Sequence, residues 1–391
     1  MRAHGGVFLI RLMYMVTLMP GLEEVASQEI SELGGKIIEI RSGHGRILFE
    51  GDIDLIPKLN YLARTIERVL ALLTVEKFQT LDDIYKIVKS LDFREWIRPD
   101  QSFAIRPLRV GEHDFTSIDV GRVAGQAVID NYLEAKGVRL KVNLNNPDVI
   151  IRVDVIFDTV YVGIDTTGDT ALHKRGYRIY QHPAPLNPSI AASLIRLAGW
   201  KVDERFLDPM CGSGTILIEA AMMGRNIPPG KFRVTNYAFH KILGEDTLKR
   251  VMASVQEKRD LLMELYGVEK FRKHIKGALI NADKAGVFDT ITVIRGDATR
   301  LEELFRDPFD VVVVNPPYGL RIARKGIIRD LYFGFLRSLK NLLHERSRVV
   351  IITSEDEVLR SAAMKNKYVI RREMRVKYGD LDTTVFLMGI T

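Results

Sequence analysis

Residues 311 to 320 read VVVVNPPYGL. Four consecutive β-branched residues predict a strand buried on both faces, the pattern of a parallel sheet rather than a half-exposed one. The strand has to stop at once. Pro316 and Pro317 lack a backbone donor and fix φ, so Asn315 is pushed out of the helical region and neither proline continues a central ladder. A rigid polar tip at the carboxyl end of a parallel strand is where open α/β sheets place their sites. Asn315, Pro316 and Tyr318 are therefore the first candidate site residues.

The rest of the C-terminal half suits such a sheet. From Pro188 onward, helix and strand alternate as in a doubly wound, Rossmann-like domain: a helix at 189–199, strand RFLD, helix TILIEAAMMG, strand LYGVE, a helix beginning FRKHIKG, strand ITVIRGD, the valine strand, a helix at 327–343, strand SRVVIIT and a closing pair near 368–390. The rhythm breaks between Gly224 and Leu262, a stretch long enough to carry its own structure or function. Ahead of it, FLDPMCGSGTILIEAA sets strand, glycine loop and helix in succession, which presents free N–H groups and a positive helix end to an anion. The spacing is G-x-G rather than G-x-G-x-x-G, so a carboxylate-bearing ligand such as S-adenosylmethionine fits better than a dinucleotide. Asp208, Met210, Gly212, Ser213, Gly214 and Thr215 form the candidate loop, with Asp208 as acceptor for the ligand's ammonium. A nucleoside also needs an acid at the next strand end for its ribose. Glu245 or Asp246 and Glu269 compete for that role; Glu269 follows the better strand, and choosing it makes 224–262 an insertion. Asp297, with Ala298 beside it, could accept from an adenine amine or serve only as a helix cap.

The N-terminal half reads differently. Residues 14–51 suggest β-α-β-β, and 55–73 an apolar-periodic helix. A second unit follows, with a helix at 82–91, strand QSFAIRPLR, a long helix at 117–136 and the alternating strands of DVIIRVDVIFDTVYVGID. Two small α+β units are expected, at 1–75 and 76–166. A linker at 167–188 follows, marked by Pro183, Pro185 and Pro188, and then the α/β domain at 189–391.

At Asn315 the chemistry becomes specific. An exocyclic base amine is a poor nucleophile because its lone pair is delocalised into the ring. The Asn315 side-chain carbonyl and the Pro316 backbone carbonyl offer two acceptors for its N–H bonds, and Tyr318 can stack on the ring. Such catalysis is positioning and electrostatics, and it asks for no metal. The single cysteine, Cys211, excludes disulfides, cysteine metal clusters and radical iron–sulfur chemistry, and it lies in the glycine loop rather than where a nucleophile toward a pyrimidine would sit. A net charge of +7 favours an anionic partner. Candidate phosphate contacts are Arg321, Arg324, Lys325 and Arg329 after the NPPYG motif and Lys174 and Arg175 in the linker, with a second basic run from Lys365 to Lys377. No stretch suggests a membrane span, and a cytoplasmic protein is expected.

At this point the chain resembles a family. MPGLEEVASQEI is similar to the start of a ferredoxin-like domain, FTSIDVGRVAGQAV with VNLNNPDVIIRVDV to a THUMP unit, and LDPMCGSGTILIEAA, GVEKFRKHIKGALINADKAGV, GDAT and NPPYG to methyltransferase motifs in order. Together they resemble the THUMP-domain RNA (guanine-N2)-methyltransferases that modify the acceptor stem of tRNA. The resemblance covers nearly the whole chain and implies that Asp208, Gly212, Gly214, Glu269, Asp297 and Ala298 contact S-adenosylmethionine, that Asn315 and Tyr318 hold a flipped guanine, and that the THUMP unit takes the tRNA 3′ end. A monomer is expected, and a small partner subunit is left open. NIPPGKFR is similar to an insertion of ribosomal-RNA enzymes, so ribosomal RNA, another base amine, or an inactive RNA-binding adaptor stay as alternatives here.

Overall fold

The computed structural model describes residues 11–233, 235–318, 325–379 and 381–390. The N-terminal half runs β1 (Leu12–Leu18), α1 (Glu23–Glu32), β2 (Lys36–Arg41), β3 (Arg46–Gly51), α2 (Leu55–Leu62), β4 (Ile66–Lys77), α3 (Leu81–Lys89), β5 (Ser102–Val110), α4 (Ser117–Lys136), β6 (Lys141–Val142), β7 (Val149–Ile156) and β8 (Thr159–Asp165). The C-terminal half runs α5 (Pro188–Leu197), β9 (Phe206–Asp208), α6 (Thr215–Gly224), α7 (His240–Leu243), α8 (Asp246–Ser254), β10 (Leu265–Glu269), α9 (Arg272–Lys284), β11 (Ile291–Arg295), β12 (Phe309–Val314), α10 (Lys325–Lys340), β13 (Leu343–Thr353), α11 (Asp356–Lys365), β14 (Tyr368–Tyr378) and β15 (Leu381–Ile390).

One expectation fails at residues 55–73, which divide into α2 and the long strand β4. The break has a local cause. Glu29 of α1 accepts from the backbone N–H groups of Arg64 and Thr65 and from the Thr65 hydroxyl, so those amides cannot serve a helix. Ala63 is already extended, at φ −70° and ψ 137°. The strand that follows pairs antiparallel with β1 on one edge and with β8 on the other. The two small units therefore share one eight-stranded sheet, ordered β2-β3-β1-β4-β8-β7-β5-β6. The expected boundary between 75 and 76 falls inside β4.

The β2–β3 and β7–β8 hairpins meet across this sheet. Arg46 of β3 pairs with Asp154 of β7 at 2.9 Å, the aspartate fully buried, and the Arg41 and Arg46 guanidinium groups lie over the Tyr161 ring. Between them sit Met15, Leu48, Leu70 and Leu72.

The second sheet has the order β11-β10-β9-β12-β13-β15-β14, parallel through β13 and antiparallel at β15 and β14. Its centre explains the valine run: Val311 and Val313 pack with α5, α6 and α9, while Val312 and Val314 pack with α10 and α11, and all four are fully buried. The first of these layers is continuous with the core beneath β1, β3, α1 and α2. The segment 167–188, expected as a linker, is packed between the two halves, with Leu172, Arg175, Tyr177 and Leu186 buried. No described helix is long and apolar enough to cross a membrane.

Removing Arg46 leaves the buried Asp154 with Arg152, 3.3 Å away, as its remaining partner among the described residues, and breaking a buried ion pair costs about 3 kcal/mol. Arg46→Met is expected to lower stability by about that amount in urea unfolding, and adding Asp154→Leu to recover part of it. An unchanged midpoint for Arg46→Met would show that the hairpins close on their apolar contacts alone.

Candidate active site

The parallel order reverses at β9, with β10 and β11 on one side and β12 and β13 on the other. That switch leaves a crevice at the strand ends, and the candidate residues gather there. Asp208 ends β9, Glu269 ends β10, Asp297 follows β11 and Asn315 follows β12.

Residues 209–214 form a tight turn held by backbone bonds. The Cys211 N–H donates to the Val268 carbonyl and the Gly214 N–H to the Cys211 carbonyl, at 3.0 and 2.7 Å. Gly212 and Gly214 both have left-handed backbones, φ 51° and 78°, and a Cβ on Gly214 would press on Ala278 at 3.1 Å. No side chain caps α6, so its first N–H groups face the crevice without one. The Gly212 N–H donates to Glu269 at 3.1 Å and the Phe271 N–H to the same carboxylate at 2.8 Å. Gly212 thus ties the loop to β10 with its own amide. Cys211 is buried against Gly267, and burial first, then Asp208, push its thiol well above its usual value, so it is an inert packing group.

Asp208 is buried. Burial, opposed by the Met210 N–H bond and aided by the Glu269 charge, raises its pKa to about 8. A buried acid of this kind, beside a second acid, calls for a cationic ligand group. Asp297 is different: the Thr299 N–H and hydroxyl cap onto one of its oxygens at 3.0 and 2.8 Å, and Lys270 pairs with the other at 2.9 Å. The Thr299 amide bond leads the effects that hold it down to about 2. Asp297 thus caps the short helical turn that follows it, and the oxygen paired with Lys270 keeps a further lone pair for a donor. Ala298 is buried beside it.

The tip of β12 holds the most telling atom. Asn315 Oδ1 is buried and has no hydrogen-bond partner among the described residues. Such an acceptor is costly unless a ligand donor meets it. Pro316 is buried next to it, and Tyr318 is partly buried, its phenol pushed up to about 12 by burial and by Tyr378. Tyr332 steadies the turn: its hydroxyl reaches the Pro317 carbonyl at 3.4 Å and Thr353 at 2.7 Å.

The candidate basic residues separate. Arg175 is corrected: its guanidinium is buried, bonded to the Leu172 and Arg64 carbonyls and paired with Glu219, so it faces no phosphate. Lys174 beside it is exposed. Arg329 is exposed and lies over Phe333. Arg321 and Arg324 lie outside the described residues, and of Lys325 only the backbone, at the start of α10, is described.

Two residues at the crevice escape a reading of the sequence by acids and glycines. Phe271, 60% exposed, stands two positions after Glu269 and offers an apolar plate at the strand end. His182, from the 167–188 segment, lies 3.5 Å from where a Gly212 Cβ would be and 4.3 Å, ring to ring, from His274. An aromatic two residues after a strand-end acid is a usable signal for the first; nothing local marks the second.

The site can be set beside known proteins. A family model described as the RMKL-like methyltransferase domain matches residues 175–384, a THUMP-domain model matches 78–165, and a model of the RlmL ferredoxin-like domain matches 13–70. The tRNA (guanine(6)-N2)-methyltransferase of Methanocaldococcus jannaschii is 54% identical over 381 residues, covering 96% of this chain and 100% of its own length. The protein of the same name from Archaeoglobus fulgidus is 50% identical, covering 96% and 92%. The crystal structure of SMU.472 complexed with SAH superposes with a TM-score of 0.85 at 25% identity, over 97% of this chain and 98% of that one. TrmN from Thermus thermophilus superposes at 0.72 with 25% identity, over 97% and 100%. The buried acid at β9, the uncapped α6 and the Glu269 strand end fit S-adenosylmethionine as cofactor. With ferredoxin-like, THUMP and catalytic parts in this order, the chain belongs to the RMKL-like methyltransferase family and is an S-adenosylmethionine-dependent methyltransferase.

Proposed function

We propose that the protein methylates the exocyclic N2 amine of a guanosine in the acceptor stem of tRNA, acting as a single chain, with the base turned out of the helix into the NPPY crevice. The observation that carries this is the buried Asn315 Oδ1 at the end of β12, without a hydrogen-bond partner among the described residues. The names of the archaeal relatives, tRNA (guanine(6)-N2)-methyltransferase, support the choice of base and RNA.

Each residue has a distinct task. Asn315 Oδ1 and the Pro316 carbonyl accept the two N–H bonds of the amine, which turns its lone pair out of conjugation and toward the donor. Tyr318 covers one face of the base. With both N–H protons held by neutral acceptors, the nitrogen would release one of them to solvent water as it gains the methyl group, and no strong base is needed beforehand. S-adenosylmethionine supplies the electrophilic methyl group on its sulfonium. Asp208 receives the cofactor's ammonium, the α6 N-terminus with Ser213 and Thr215 its carboxylate, and Glu269 its ribose hydroxyls; Phe271 supports the adenine face, beside Ala298. Lys174 and Arg329 contact phosphates, together with Arg321, Arg324 and Lys325. The eight-stranded sheet, through its THUMP part, holds the 3′ end.

Methyl transfer from labelled S-adenosylmethionine to unmodified total tRNA, with ribosomal RNA in parallel and nucleosides identified by mass spectrometry, tests this reading. N2-methylguanosine is expected in tRNA. Asn315→Ala is expected to lower the rate about 100- to 1,000-fold, as loss of one preorganised polar contact does, and to weaken cofactor binding far less. Label confined to ribosomal RNA, or full activity of Asn315→Ala, would overturn it.

Asp208 makes cofactor binding pH-dependent. Its folded pKa, about 8, lies above the unfolded value of 3.8, so in the free protein it stabilises the fold at low pH, an effect lost as pH rises from about 4 to 8. A bound ammonium favours the ionised form and reverses that preference. Affinity for S-adenosylhomocysteine, by calorimetry, is expected to rise about tenfold or more between pH 6 and 8. Asp208→Asn should bind more weakly at pH 8 and lose the slope; a slope kept in that variant would remove Asp208 from the ammonium site.

A further inference from the structure

The stretch from Arg225 to Leu262, which interrupts the alternation of the catalytic domain, leaves the end of α6 and returns into β10. These two elements carry the cofactor loop and Glu269. Between them the chain does not fold back on its own sheet. It crosses to the N-terminal half and to the segment just after β8, and three of its fastenings there are polar clusters.

At the first, Arg233 donates to the Thr167 and Thr170 carbonyls at 2.9 and 2.7 Å, just after β8, while its guanidinium lies 4.4 Å over Tyr237. At the second, the Phe239 N–H bonds the Thr166 carbonyl at 3.0 Å; its ring is fully buried and stacked on Tyr237. At the third, Lys241 is held from both directions. Its carbonyl accepts from Gln101 and Arg98, at 2.8 and 3.3 Å, and its ammonium meets the Pro147 carbonyl at 3.0 Å and Asp148 at 3.1 Å. Ile242, next along, packs against the apolar core of the second small unit. Gly230 lies so close to Tyr61 that a Cβ would be 2.6 Å from its ring, which ties the same stretch to the first unit.

The contacts fall on both N-terminal units and on neither face of the catalytic crevice. None of these residues is among those placed against cofactor or base. We propose that segment 225–262 is a strap that sets which nucleotide is methylated, by holding the eight-stranded sheet at one distance and orientation from the crevice; Lys241, Gln101 and Arg233 are its positioning residues. This rests on the reading of the protein as a tRNA methyltransferase. If the RNA is held by the N-terminal half and modified at the crevice, the nucleotide delivered depends on the rigidity of whatever joins the two. The strap joins them at the elements that place the cofactor, so slack in it becomes an error in register rather than a loss of chemistry.

The test uses the full chain and a tRNA transcript whose acceptor stem carries guanosines at several adjacent positions, with the sites of N2-methylguanosine mapped by nuclease digestion and mass spectrometry. Lys241→Met with Gln101→Leu removes three of the four polar contacts of the third fastening, leaving only the Arg98 bond to the Lys241 carbonyl; Lys241→Met alone, at a partly exposed side chain, is the milder variant. The wild type is expected to favour one position. The double variant is expected to lose that preference about tenfold, in line with the sensitivity of positioned reactions to shifts of about 1 Å, while S-adenosylhomocysteine affinity stays within about twofold, since no strap residue touches that site. Lys241→Met should fall between, and Lys241→Arg should restore the preference. A variant that loses rate but keeps its single position, or one unchanged in both, overturns the proposal by making the strap a structural brace only. Failure of the wild type to methylate any tRNA would instead overturn the underlying function, and the proposal with it.

Discussion

Helix α6 is gripped by charged groups that come from outside its own sheet, and the geometry of the crevice depends on that grip. Glu219, fully buried in the middle of the helix, takes the Tyr177 hydroxyl at 2.9 Å and Arg175 Nε at 3.3 Å. Arg64, from the break between α2 and β4, donates to the carbonyls of Met222 and Ile227 at 3.3 and 2.6 Å, where the helix ends. Arg175 in turn reaches the Arg64 carbonyl at 2.8 Å. Burial is severe enough to lower Arg64 to about 10 despite Glu219 and Glu29 nearby. Charges buried this way are tolerated only when paired and hydrogen-bonded, so the network admits few arrangements. The cofactor loop, which leads into α6, takes its position from the N-terminal half as much as from β9.

The crevice carries two unresolved electrostatic demands, and they define complementary ligands. Asp208 and Glu269 are acids at the ends of adjacent strands, one of them held largely neutral by burial. A cation relieves that conflict. Across the switch point, Asn315 Oδ1 has no donor among the described residues, a deficit that an amine would relieve. A loop ordinarily satisfies its polar groups internally; on the function proposed above, these two demands would be met by the two partners of one methyl transfer. Cys211, between them, is packed and uninvolved, which agrees with a reaction that needs no covalent intermediate.

Much of this was legible in the residues. The valine run could only be a central strand, because alternate residues face two different helical layers, and its proline stop marked the crevice. The glycine loop and Glu269 were equally readable from their place between strand and helix. Other parts depend on contacts that no local pattern encodes. Residues 66–73 read as the end of a helix from their leucines, yet Glu29, far back in α1, takes the amides a helix would need. The joining of β4 to β8 into one sheet is a long-range pairing without a local signal. Helix α11, between β13 and β14, was not foreseen, since its short polar sequence has a weak apolar stripe. Lys174 and Arg175 are neighbours with the same charge; one is solvated and the other buried under α6, a distinction that composition cannot make.

Catalysis by positioning shifts the burden of selectivity from the reacting groups to the frame. Asn315 and the Pro316 carbonyl would hold any planar amine, so the crevice alone discriminates weakly among nucleotides that reach it. The frame supplies what the crevice lacks. The apolar layer under β1 and β3 continues into the layer under α5 and α6, the 167–188 segment is packed between the halves rather than free, and the α6 junction is ionic and buried. A hinge between RNA-holding and catalytic parts would need a thin, solvated connection with few buried contacts. This chain has built the opposite, and on the function proposed above a stiff frame around a permissive amine site is the physical form that selection of one nucleotide by distance would require.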